Sequence, residues 1–141
     1  MEQANIQTSK SNKKLNIDFK DSKSATGRRK RSIARVWVKK GSGKIYVNGK
    51  NYEDYFKRAN HKMQLLRPFE IISQATSYDV KCNVKGGGLT GQVGAMVHGI
   101  SKALLMFDSE LKTTLKKEKL TTRDSRSVER KKYGRRKARR S

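Results

Sequence analysis

A single small domain that combines strands with helices, carried between polar extensions, is the fold the sequence predicts. Three observations predict it. Apolar and polar residues alternate from Arg28 to Lys40 and from Tyr78 to Lys85, apolar residues recur every three or four positions from Val93 to Phe107, and neither end of the chain carries a periodic apolar face. With 141 residues and 33% hydrophobic content, the chain can bury one modest core.

Residues 1–24 form a polar N-terminal extension whose sizeable apolar side chains are Ile6, Leu15, Ile17 and Phe19. Such a stretch buries too little surface to fold alone and is expected to order only on a partner. It lacks an apolar h-region and carries Glu2, Asp18 and Asp21, which argues against a secretory signal.

The globular domain is expected over residues 25–120. From Arg28 to Lys40 the alternation predicts one strand, with Ser32, Ala34, Val36 and Val38 on the core face and Arg29, Arg31, Ile33, Arg35, Trp37 and Lys39 on a basic outer face. Gly41-Ser42-Gly43 then predicts a turn from which Lys44 to Val47 returns as a short strand. Asn48-Gly49 is a second turn signal, and Asn51 can cap a helical turn containing Tyr52, Tyr55 and Phe56. A broken helix is expected from Lys62 to Gln74, with Pro68 in the first turn of its second piece.

Tyr78, Val80, Cys82 and Val84 alternate with Asp79, Lys81, Asn83 and Lys85, which predicts a half-buried strand with Cys82 as a small core residue. Gly86-Gly87-Gly88 opens the principal core helix, whose apolar positions are Val93, Met96, Val97, Ile100, Leu104 and Phe107. Gly91, Gly94 and Gly99 weaken that helix relative to alanine, so a sheet or RNA backbone is expected to approach there. Asp108 or Ser109 can cap a last helix bearing Leu111 and Leu115.

Residues 121–141 form an extended basic tail. From Lys116 to Ser141 there are thirteen Lys or Arg against three acids, a net of +10. That tail is expected to stay extended until phosphates neutralise it.

Charge narrows the function further. Thirty-five Lys plus Arg against 12 Asp plus Glu give a formal net charge of +23 and a pI near 10.5. Self-repulsion on that scale calls for a polyanionic partner. Leu89 to Phe107 is interrupted by Gln92, His98, Ser101 and Lys102, so a membrane span is not expected. Cys82 is the one cysteine, which removes disulfide frameworks and C-x-x-C zinc pairs within the chain.

Gly86-Gly87-Gly88-Leu89-Thr90-Gly91 matches G-x-G-x-x-G formally, after a strand and before a helix. A dinucleotide site also needs a second parallel strand ending in an acid about 20 residues on, and here the helix leads through Asp108 into another helix and the basic tail. The P-loop pattern fails at Gln92, where lysine is required. A phosphate of a nucleic acid is the better occupant for a glycine turn at a helix N-terminus. His61 and His98 have no Cys, Asp or Ser partner in sequence, and no metal or catalytic cluster is expected.

Several stretches in order resemble the family of the ninth protein of the small ribosomal subunit, in its bacterial or organellar form. They are T-G-R-R-K-R-S-I-A-R-V at Thr26 to Val36, G-S-G-K-I-Y-V-N-G-K at Gly41 to Lys50, L-R-P-F at Leu66 to Phe69, G-G-G-L-T-G-Q at Gly86 to Gln92, T-R-D-S-R at Thr122 to Arg126, E-R-K-K-Y-G at Glu129 to Gly134, and A-R-R at Ala138 to Arg140. The resemblance implies an α+β fold, a small mixed β-sheet with helices packed on it and a left-handed β-α-β crossover. It implies a structural, non-enzymatic protein without cofactor or small-molecule substrate. Its partners would be small-subunit ribosomal RNA in the 3′ major domain, neighbouring head proteins and peptidyl-site tRNA, on a ribosome of a bacterial cytoplasm, mitochondrion or plastid.

The residues expected to bind ribosomal RNA are Arg28, Arg29, Lys30, Arg31, Arg35, Lys39, Lys40, Arg67, Gly86, Gly87, Gly88, Gln92, Arg123, Arg126, Arg130, Lys131 and Lys132, with Arg135, Arg136, Lys137, Arg139 and Arg140 nearest tRNA. Residues 1–24 have no clear family counterpart, and bacterial members usually continue several residues past A-R-R. Two rival readings are a free nucleic-acid-binding protein of chromatin or repair type and a nucleotide-dependent enzyme. No helix-turn-helix or zinc finger supports the first, and the failed fingerprints disfavour the second.

Overall fold

The computed structural model describes residues 22–72 and 78–141. Five strands, β1 (Lys23–Arg29), β2 (Ser32–Lys40), β3 (Ile45–Val47), β4 (Lys50–Asn51) and β5 (Tyr78–Lys85), form one mixed sheet in the order β1-β2-β5-β3-β4. The helices are α1 (Tyr52–Tyr55), α2 (Ala59–Ile71), α3 (Leu89–Phe107) and α4 (Leu111–Lys117). The class is α+β. β3 runs parallel to β5, and the other pairs are antiparallel.

One face of the sheet makes the core. Register aligns Ala25, Val36, Cys82 and Val47 in one row and Val38, Val80 and Ile45 in the next, all on the side where α3 packs. Val36, Val38, Val47, Val80 and Cys82 are fully buried, as the alternation of β2 and β5 predicts. Burial pushes the Cys82 thiol far above its ordinary pKa, so it stays protonated and behaves as an apolar side chain. Helix α3 contributes Val93, Met96, Ile100 and Leu104, spaced three or four residues apart, and α2 covers it with His61, Leu65, Pro68 and Phe69.

Small residues let α3 lie directly on β1. A Cβ at Gly27 would come within 1.8 Å of the Ala95 carbonyl oxygen, and one at Gly99 would meet the Gly27 amide at 3.0 Å. A Cβ at Gly94 would strike the Arg29 side chain, and one at Gly91 would lie 2.8 Å from Ser32 Oγ. The helix glycines are therefore explained by the sheet beneath them.

Four expectations are corrected. The run Arg28 to Lys40 is not one strand, because Lys30 and Arg31 form a two-residue turn, with Lys30 at φ +51°, between β1 and β2. Arg29 pairs with Ser32 across that hairpin, so it lies on the helix side of the sheet and not beside Arg35. Arg31 belongs to the turn. Only Ile33, Arg35, Trp37 and Lys39 occupy the outer face as expected.

Residues 45–47 do not return along β2 either, since β5 inserts between the two strands. One carboxylate oxygen of Asp79 accepts the backbone N–H groups of Ser42, Gly43 and Lys44, each at 3.0 Å, and so carries the chain across β5. Asn48-Gly49 does form the expected hairpin turn, with φ +51° and +82°, the pair of positive values that a type I′ turn requires. The Asn48 side chain extends the β3–β5 ladder by accepting from the Val84 N–H and donating to the Val84 carbonyl.

The third correction concerns Pro68, which sits inside a continuous α2 and does not open a second piece. It lies in the last turns, where one hydrogen bond is lost and its ring is buried with the core. Gln74 lies outside the described residues. Asn51 caps α1 as expected, accepting from the Glu53 N–H, whereas neither Asp108 nor Ser109 caps α4: Glu110 takes that position without a side-chain cap, and Asp108 accepts from the Glu110 N–H ahead of it.

Candidate nucleic-acid interface

The sheet face opposite α3 carries rows of polar and basic side chains. Register places Arg28, Ile33 and Lys85 side by side, then Thr26, Arg35 and Asn83, then Ser24, Trp37, Lys81 and Tyr46. The Arg35 guanidinium lies 4.9 Å from the Trp37 ring centroid, and the Lys81 ammonium lies 5.6 Å from it. Such contacts orient two cations without neutralising them.

At the edge of the sheet, the glycine loop rests on the β1–β2 turn. Gly86 and Gly87 have φ +77° and +59°, and Cβ atoms there would strike the Arg31 carbonyl and Ser32 Oγ. The Ser32 hydroxyl donates to the Gly86 carbonyl at 2.9 Å. Gly88 then begins α3 with no side-chain cap and open space around it. The first-turn N–H groups and the positive end of the helix dipole thus open outward beside Lys30 and Arg31, an arrangement suited to a phosphate.

Gln92 supports this loop from within. It accepts from the Tyr55 hydroxyl at 2.7 Å and donates to the Gly86 carbonyl at 3.2 Å. Arg67 bridges α2 to Glu118 just past α4, at 2.8 Å, with both side chains about half exposed. Lys39 and Lys40 end β2 on opposite faces, away from the glycine loop.

A third set of residues fixes the base of the tail. His98 on α3 accepts the Arg28 backbone N–H at Nδ1 and donates from Nε2 to the Thr121 carbonyl, each at 3.3 Å. This requires the neutral ring. Asp124 accepts from the Arg126 backbone and guanidinium and faces Arg29 at 3.8 Å. The Arg126 hydrogen bonds, helped by Arg29, hold the Asp124 carboxyl well below the usual carboxylate range.

Burial, reinforced by the Lys102 and Arg123 cations, lowers the His98 pKa below 6.5 despite the opposing Thr121 hydrogen bond. As pH falls through 6.5, the unfolded chain takes up a proton that the folded chain refuses. Stability contributed by neutral His98 is therefore present above 6.5 and is lost as pH drops toward the folded pKa, below which the loss levels off. Urea midpoints measured from pH 7 to 5 are expected to fall more steeply in the parent chain than in His98→Gln. Parallel profiles would show that His98 does not carry this dependence.

Beyond Arg126 the cations face outward. Arg130, Lys131, Arg135, Arg136, Lys137, Arg139 and Arg140 are exposed, while Glu129 pairs with Lys132 and with Arg139. The Arg136 N–H donates to the Arg140 carbonyl, so the tip curls on itself. Tyr133 is 93% exposed within it.

The structure thus brings the Arg31 backbone against Gly86 and gathers Lys30 with Arg29, Asp124 and Arg126, Lys30 also lying close to Gly91, but keeps Arg35 apart on the open face. Lys81, Asn83 and Lys85 were not expected among the site residues. Their alternation on β5 could have flagged them, because it sets them opposite the core. Among the described residues, no three His, Cys, Asp or Glu are grouped to hold a metal ion, and no helix is long and apolar enough to cross a membrane. Residues 27–141 match a family model described as ribosomal protein S9/S16.

Proposed function

The chain belongs to the ribosomal protein S9/S16 family, and on that premise we propose that it sits in the head of the small subunit, on the 3′ major domain of the ribosomal RNA and against neighbouring head proteins, with its tail directed to the peptidyl site. Membership alone makes it a structural component of the small ribosomal subunit that binds ribosomal RNA in translation, in a family without enzymatic role.

The observation that carries the finer reading is the anchored tail. His98 and Asp124 tie residues 121–126 to the domain, and the exposed cations follow. Fully extended at 3.3 Å per residue, residues 127–141 could span about 50 Å, enough to leave the domain's own RNA site for a second one. The exposed cations of the domain, Arg28, Lys30, Arg31 and Lys40 among them, supply phosphate contacts that position it. Arg123, Arg126, Arg130, Lys131 and Lys132 continue those contacts along the tail base.

Deleting residues 131–141 tests this. Subunit assembly is expected to persist, because no core residue is removed. Filter binding of tRNA to the peptidyl site should weaken by about tenfold, through loss of Arg135, Arg136, Lys137, Arg139 and Arg140. Unchanged tRNA affinity would confine the tail to ribosomal RNA.

A further inference from the structure

All the long helices lie on one side of the sheet, and the other side holds a concavity of about 560 Å³ between β1, β2 and β5. It is lined by Thr26, Arg28, Ile33, Arg35, Asn83, Val84 and Lys85. Its volume lies within the range of sites that enclose small ligands, about 300–1,000 Å³. None of its lining side chains is acidic. Among the described strand residues of this face the one acid is Asp79, and its carboxylate is engaged by the 42–44 backbone at the far end of the sheet.

We infer that this concavity receives one unpaired nucleotide of the ribosomal RNA, its base lying on Ile33 and read at its edge by Asn83, its flanking phosphates held by Arg28 and Lys85. The inference rests on the family reading and adds a specific subsite to it. Register carries the argument. Arg28 and Lys85 flank Ile33 on the two adjacent strands, so two cations stand about 10 Å apart, twice the strand spacing, with an apolar floor between them.

In the next row Arg35 is steadied by Trp37, so its planar guanidinium is preorganised to stack on a base. Asn83, beside it, offers one acceptor and two donors, the set that pairs with a base edge. A duplex cannot enter such a concavity with its bases stacked inside the helix. A bulged or looped nucleotide can, as bases splayed onto sheet surfaces do.

The test uses the full chain and small-subunit ribosomal RNA. Ile33→Ala and Asn83→Ala change no charge and touch no core row, so each should lower affinity about tenfold while leaving the salt dependence of binding unchanged. Arg28→Ala and Lys85→Ala should instead reduce the slope of log affinity against log salt by about 0.7 to 0.9 each. Chemical probing of base edges should show the same one or two unpaired nucleotides becoming reactive with Ile33→Ala and Asn83→Ala. A photo-crosslinking residue at position 33 should attach to that nucleotide.

Affinity within about twofold of the parent for both neutral variants, or a crosslink from position 33 to base-paired nucleotides in place of an unpaired one, would overturn the subsite while leaving the family reading in place. Failure of the parent chain to bind small-subunit RNA would remove the reading itself. If a neutral variant unfolds by circular dichroism, the crosslink in the otherwise unchanged chain decides.

Discussion

Gly27→Val is expected to abolish folding of the domain. The helix α3 backbone occupies the space of a Gly27 side chain: even a single Cβ would lie 1.8 Å from the Ala95 carbonyl and 2.3 Å from the Gly99 amide. Neither neighbour is a side chain that can rotate away, so α3 would have to lift from β1. That movement opens the contact of Ala95 and Gly99 with Gly27 and Val36 on which the core is built. A cost above about 4 kcal/mol is expected, a large part of the 5–15 kcal/mol that holds a domain of this size folded. Gly88→Ala is the matched control, because nothing lies within 4 Å of a Cβ there. Urea unfolding of both variants checks the claim. A Gly27→Val chain with parental stability would show that α3 does not dock on β1 as described.

Asp79→Ala is expected to cost about 3–5 kcal/mol. Its carboxylate is nearly buried and accepts three successive N–H groups from residues 42–44. Hydrogen bonds to a charged acceptor contribute about 1.5–3 kcal/mol each when singly removed, and loss of the acceptor strands several donors at once. The same loop leads into β3, so the parallel β3–β5 pairing should loosen with it. Asp79→Asn, which keeps an acceptor but loses the charge, should recover about half of the loss. Hydrogen exchange at residues 42–47 would localise the effect. A loss below about 1 kcal/mol for Asp79→Ala would show that the loop holds its path without the carboxylate.

Much of this architecture was legible from side-chain period alone. Val36, Val38, Val80 and Cys82 are buried because a two-residue period assigns each to one face, whatever strand lies beside it. Gly91, Gly94 and Gly99 announced a close neighbour because a helix carries such residues at a cost. The neighbours themselves were not legible. Period two states which face a residue occupies and leaves open which strand it pairs with, so the insertion of β5 between β2 and β3 had no local signal beyond Asp79, a residue that reads as ordinary polar alternation.

The β1–β2 turn was hidden for a related reason. Lys30-Arg31 contains no Gly, Asn or Pro, and Lys30 is held in the left-handed region without the residue types that announce it. Alternation placed Arg29 and Arg31 with Arg35 on one basic face, whereas the hairpin sends Arg28 to the open face, Arg29 to α3 and Asp124, and the Arg31 backbone against Gly86. Linear charge therefore marked the cations, and register distributed them over separate surfaces. The side-chain partners of His98 and Asn48 had no signal because they lie 23 to 70 and 36 residues away in sequence.

Sedimentation of the full chain with small ribosomal subunits through a high-salt gradient tests the central claim most directly. Salt weakens contacts made only with phosphates, while an integral component held by shape, stacking and many simultaneous contacts remains bound. The chain is predicted to migrate with the small subunit at near one copy per particle. Migration as free protein, or with DNA, would contradict its assignment as a structural part of that subunit.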